Sequence, residues 1–191
     1  MASRGVNVGR EDYGVSVAVY GYKDTMKALR SMSPDVAKQL DREIRDTIKP
    51  VAASAKTKVP ARPMRNWDDR GTGVWSQRLG WNANAVRRGI TVTKGGRGRR
   101  SSGVSVAWKV MNKNAAGAIF EIAGRKSSGS TRAAVAFRSN LYRSGGRPSR
   151  LIWQAWDEMG GEQTITPKVV EIMDRASATA QALMDAANDK G

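Results

Sequence analysis

The sequence predicts an α+β chain, and three observations carry the prediction. Val36, Leu40, Ile44, Ile48, Val51, Ala55 and Val59 recur by fours and a three, which is one apolar face of a long helix near the N-terminus. Val15-Ser16-Val17-Ala18-Val19-Tyr20, Arg88 to Thr93 and Gly103 to Val110 read as short strands, the first and last by their alternation. Val169, Met173, Ala176, Ala180, Leu183 and Ala187 return to helical spacing at the C-terminus. With 191 residues, one domain spanning 1–191 is expected, long enough to bury a core.

Residues 1–12, a Gly- and Arg-containing leader, read as flexible or as docking on something else, and the first strand ends at Gly21. The long helix opens with Ser33 as N-cap, Pro34 at the first helical position and Asp35 beside the positive end of the helix dipole. Its far side alternates Lys38, Asp41, Arg42, Arg45, Asp46 and Lys49, a pattern read as a solvated face with weak i,i+4 pairs. Pro50 inside the pattern predicts a kink near Asp46 to Pro50, and Pro60 and Pro63 stop the helix. The strands Arg88 to Thr93 and Gly103 to Val110 form a hairpin around the basic tip 94–102. The block Ala115 to Arg125 fits a short helix followed by a turn at Gly124, because alanines and Gly117 lower the strand propensity and Ala115, Ala118, Ile119 and Ile122 share a helical face. Residues 125–150 read as a second extended basic loop. A helix then begins near Ser149 and ends at Gly160-Gly161, and Thr166-Pro167 caps the last one.

Charge and composition narrow the function. The chain has no Cys and no His, which removes disulfides, the common zinc sites and the Ser-His-Asp and Cys-His constellations. No cofactor or metal site is expected, and no catalytic residue. Met1 to Asp12 lacks the apolar core of a signal peptide, and no run is long enough to span a membrane, so a soluble chain is expected. The net charge is +16, and it is concentrated: 21 Lys and Arg stand against 3 acids between Lys56 and Arg150, while the remainder is nearly balanced. Such a field calls for a polyanion or an acidic protein surface as partner.

Two basic segments are the candidate partner- or DNA-facing surfaces. The first holds Lys94, Arg97, Arg99 and Arg100; the second holds Arg125, Lys126, Arg132, Arg138, Arg143, Arg147 and Arg150. The tip has glycines but no P-loop Gly-Lys-Ser/Thr, so it reads equally as a loose nucleic-acid arm, an arm for an acidic partner, or a solvated hairpin end. Trp67, Trp75 and Trp81 lie among arginines. They could stack bases in a basic groove, but packing on the sheet or on a neighbouring subunit is favoured, since indoles are common interface anchors. Glu121 is the only acid between Asp69 and Asp157. Its apolar flanks, Ile119, Phe120 and Ile122, favour a structural carboxylate paired with an arginine over a general acid, and replacement by Gln is expected to damage folding or assembly.

One set of residues resembles a known family. The capped helix through Ile48-Lys49-Pro50-Val51-Ala52-Ala53-Ser54-Ala55 to Val59-Pro60 is followed by Trp-rich sequence and a hairpin. Then come Ala118-Ile119-Phe120-Glu121-Ile122-Ala123-Gly124 and an Arg-rich loop. This order is similar to the tail-component or tail-completion family of long-tailed bacteriophages, especially those of actinobacteria, over roughly Leu29 to Ala176. Members typically place Thr after the glycine, where this chain has Arg125.

The resemblance implies a twisted antiparallel β-sheet packed against the long kinked helix, with C-terminal helices and extended basic loops. It implies a non-enzymatic virion protein at the neck or top of the tail, present in the host cytoplasm during assembly. Its partners would be its own copies in a ring, often hexameric, together with neighbouring head–tail connector, tail terminator or tail tube proteins, and phage DNA in the lumen. No membrane and no small-molecule substrate are implied. Six copies would gather a charge of about +96, which needs acidic neighbours, DNA or well-separated loops. The alternative of a different class is a basic nucleic-acid-binding protein using Arg-rich loops and Trp stacking.

Overall fold

The computed structural model describes residues 6–11, 14–19, 21–62, 67, 79–95, 106–123, 135, 139 and 150–189. Four strands form one antiparallel sheet: β1 (Val6–Glu11), β2 (Gly14–Val19), β3 (Ile90–Gly95) and β4 (Val106–Asn112), in the order β1-β2-β4-β3. The fold is α+β, as the sequence predicts. In the register, Val17 and Lys94 both pair with Trp108, and Val15 and Val92 both pair with Val110. Period-2 alternation therefore puts Val15, Val17, Val92, Lys94, Trp108 and Val110 on one face of the sheet.

Two expectations change here. Val6–Glu11 is not a flexible leader: it pairs along its whole length with β2, from Val6 opposite Val19 to Glu11 opposite Gly14. The run is short and holds Gly9, so it reads weakly alone; β2 supplies the ladder that holds it. Lys94 and Gly95, assigned to the tip, belong to β3, because Trp108 and Ala107 are there to pair with them.

The helical layer begins with α1 (Tyr22–Met32), which the sequence reading missed. Its signal is short: Tyr22, Met26 and Leu29, one face, all buried. Gly21, with φ 74°, makes the left-handed turn from β2 into it, a conformation glycine adopts without a Cβ clash. α2 (Pro34–Thr57) is the spine, about 36 Å long at 1.5 Å per residue. Its expected stripe is buried at Leu40, Ile44, Ile48, Val51 and Ala55, joined by Ala37 and Ala52. Ser33 holds the N-cap position, but its side chain makes no cap bond. The helical assignment runs unbroken through Pro50 and stops two residues short of Val59, which is buried beyond the helix end.

A short α3 (Ala83–Gly89) takes in Arg88 and Gly89, the first two residues of the expected strand; Asn82 caps it by accepting from the amide of Ala85 at 3.0 Å. α4 (Ala115–Ala123) is the short helix expected there, and Asn114 Oδ1 accepts from the Gly117 amide at 3.0 Å in its first turn. α5 (Leu151–Glu158) is followed by Gly160, with φ 62°, and a π-helical turn, Gly161–Ile165. The turn runs directly into α6 (Thr166–Asn188). The glycine pair thus ends α5, as the sequence predicts, and a new helical turn starts at Gly161. Thr166 is not a cap: its hydroxyl donates back to the Gly161 carbonyl at 3.1 Å. The α6 seam is buried at Val169, Met173, Ala176 and Ala180, half-buried at Leu183 and exposed at Ala187. α2 lies at the centre, in contact with α1, α5, α6, β3 and β4.

Candidate polyanion interface and the Glu121 joint

The three aromatic residues that come together close each other off. The ring centroids of Trp67, Trp81 and Phe120 are 5.0 to 6.4 Å apart, in tilted arrangements. Trp67 Nε1 donates to the Leu79 carbonyl at 2.7 Å, and Trp81 Nε1 to the Pro60 carbonyl at 3.0 Å. Both indoles are thereby satisfied inside the protein and are 6% and 3% exposed, so neither offers a face to a base. They are core anchors, in line with the packing that the sequence favours at these two positions, and the alternative of a base-stacking platform is closed there. Trp75 lies outside the described residues.

Glu121 sits next to this cluster and is 2% exposed. It faces the start of α5, where Arg150 occupies the N-cap position in a left-handed conformation with φ 82°. Burial pushes its carboxyl from the usual 4.5 up to about 8. The backbone amides of Ile152, Leu151 and Arg150 pull the other way, as does the Arg150 charge, and burial outweighs them. These amides approach without closing a full hydrogen bond: neither carboxyl oxygen has a partner among the described residues. The expected ion pair with an arginine is therefore absent among them. Arg150 acts at longer range and lies over the Trp153 ring, 5.8 Å from its centroid. Of the apolar residues flanking Glu121, Ile122 is 43% exposed and Phe120 is buried in the aromatic cluster. Among the described residues no group of three His, Cys, Asp or Glu could hold a metal, and no helix is long and apolar enough to cross a membrane.

The basic candidates divide sharply. Arg97, Arg99, Arg100, Arg125, Lys126, Arg132, Arg138, Arg143 and Arg147 lie outside the described residues. Between residues 125 and 149 only Val135 and Ser139 are described, both exposed. Lys94 is tied down. Its Nζ lies 2.7 and 2.9 Å from the two Asp41 carboxylate oxygens and 2.8 Å from the Tyr22 hydroxyl, over the rings of Tyr22 and Trp108. Tyr22 also donates to Asp41.

This tie forms one wall of a cleft of about 600 Å³ between α2 and the sheet face. Val92 and Trp108 line it from the sheet, and Lys38, Arg42, Arg45 and Lys49 from the helix, with Asp46 among them. The sequence predicts a solvated face here, and Lys38, Arg42, Arg45 and Lys49 are exposed. Sequence spacing alone pairs Asp41 with Arg45, whereas the fold gives Asp41 to Lys94, 53 residues away. Comparison with protein-family models, with curated proteins and with solved structures found no match.

Proposed function

We propose that the chain is a non-enzymatic structural protein of a tailed-phage virion, a subunit of an oligomeric ring at the neck that joins head and tail or completes the tail end. The observation supporting this reading is the use made of the Phe120-Glu121-Ile122-Ala123 run. Its aromatic is locked into the Trp67–Trp81 cluster, and its carboxyl is enclosed against the start of α5, out of reach of any substrate. The run serves as a joint at the root of a segment carrying Arg125, Lys126, Arg132, Arg138, Arg143 and Arg147. In this reading α2 bends at Pro50, and the segments after β3 and α4 are extended basic loops that meet acidic virion subunits. Six copies close the ring, as the resemblance implies, only with such neighbours or DNA in place.

The test is mass measurement of the purified protein alone and in particles of the phage that encodes it, together with reversal of Arg97, Arg99 and Arg100 to Glu. A monomer alone, a ring in the particle and loss of head-to-tail joining in the variant are expected. Absence from particles, or normal joining by the variant, overturns the reading.

The second reading is a basic nucleic-acid-binding protein. It loses the stacking platforms Trp67 and Trp81, and is favoured by the row of cations on α2.

A further inference from the structure

We infer that the cleft between α2 and the sheet holds the phosphodiester backbone of duplex DNA, with Arg42, Arg45 and Lys49 as its phosphate contacts and Lys38 extending the row. This rests on the nucleic-acid reading and is independent of the virion one. Lys38, Arg42, Arg45 and Lys49 follow one another by four, three and four residues. On a helix that spacing is one straight row, about 16 Å long at 1.5 Å per residue. One DNA strand carries a charge about every 3.4 Å along its axis, so the row covers about five phosphates.

The cations are available. Arg42, Arg45 and Lys49 are exposed, and among the described residues no ion pair or hydrogen bond holds them; Lys38 has a bond only to exposed Asp35. Of the two carboxylates lining the cleft, Asp41 is already neutralised by Lys94 and bonded by Tyr22. Asp46 remains as the single opposing charge in the row. Lys94 and Asp41 thus hold the cleft wall in place and leave the helix row to face the ligand.

The surroundings favour DNA over an acidic protein. Protein interfaces centre on apolar or aromatic anchors and are depleted of charge at the core. Here the exposed large apolar residues among the described ones, Ile122, Val135, Val170 and Met184, do not line the cleft, and its indole, Trp108, is buried beneath Lys94. Contacts made by Lys and Arg alone suit a backbone bound without sequence preference.

The experiment compares the full chain with R42Q/R45Q/K49Q and with a control of equal charge change, K23Q/K27Q/R30Q on the exposed side of α1. Binding of a labelled duplex of about 30 bp is followed between about 50 and 200 mM salt. The cleft variant should keep its thermal unfolding midpoint, bind at least about tenfold more weakly at the lower salt, and lose about 2 to 3 from the slope of log affinity against log salt. The control should lose much less of both. Equal losses in the two variants, or an unchanged slope in the cleft variant, overturn the site while leaving the nucleic-acid reading intact. No binding of duplex by the wild-type chain overturns both. Saturable binding of polyglutamate but not of duplex, abolished by the cleft variant, overturns the inference in favour of an acidic protein.

Discussion

Lys94, near the end of β3, reaches across the sheet face to Asp41 in the second turn of α2, placing Nζ 2.7 Å from one carboxylate oxygen and 2.9 Å from the other. The pair joins the sheet to the spine helix, and both side chains are about a third exposed, 33% and 32%. Partial exposure limits its strength. A double-mutant cycle with Lys94→Met and Asp41→Asn should give a coupling of about 1 kcal/mol, smaller at high salt. A coupling indistinguishable from zero at low salt would show that Tyr22 and the aromatic rings, not the ion pair, hold Lys94.

The Glu121 carboxyl makes stability depend on pH in a direction opposite to that of most acids. Its folded value, about 8, lies above the ordinary 4.5. The folded protein keeps a proton that the unfolded chain releases, so this contribution is full below pH about 4.5 and is lost as pH rises through about 8. The urea midpoint should fall between pH 6 and about 9 in the wild-type protein and change much less in Glu121→Gln, which cannot ionise. The structure thus revises the expectation that Gln is damaging, since Gln resembles the neutral acid that burial already favours. Parallel pH profiles for the two proteins would count against a buried neutral carboxyl.

Gly161 has no room for a side chain, because a Cβ there would run into the indole of Trp156. Trp156 is among the largest fully buried side chains and cannot simply swing aside. Gly161→Ala should therefore destabilise the protein by about 1 to 3 kcal/mol, read from denaturant midpoints. Gly21→Ala is a useful contrast, since nothing crowds a Cβ there and only the left-handed backbone opposes it.

Trp81→Ala and Phe120→Ala should each cost about 3 to 5 kcal/mol, because each opens a cavity in a buried aromatic cluster. Affinity for DNA, measured where these variants remain folded, should be unaltered. Selective loss of DNA binding with stability retained would restore Trp stacking as a mechanism.

Much of the secondary structure was legible. The α2 stripe, the β2 alternation, the β3–β4 hairpin, the short α4 and the α6 seam each repeat an apolar period long enough to read. α1 and α3 were missed because each shows so short a pattern, three buried residues in one and a single buried Val86 in the other. β1 was missed because a strand at a sheet edge is specified largely by its neighbour.

The site was less legible still. Sequence alone determined that the chain is basic, that its charge excess lies between Lys56 and Arg150, that His and Cys chemistry is absent, and that Glu121 stands alone amid apolar residues. Composition and local period fix such things. Only the tertiary structure decided that Asp41 belongs to Lys94, that Trp67 and Trp81 face inward, that Glu121 meets the start of α5, and that the charged side of α2 walls a cleft. Those outcomes depend on which elements pack together across tens of residues. The helical period records which residues share a face, but not what that face meets.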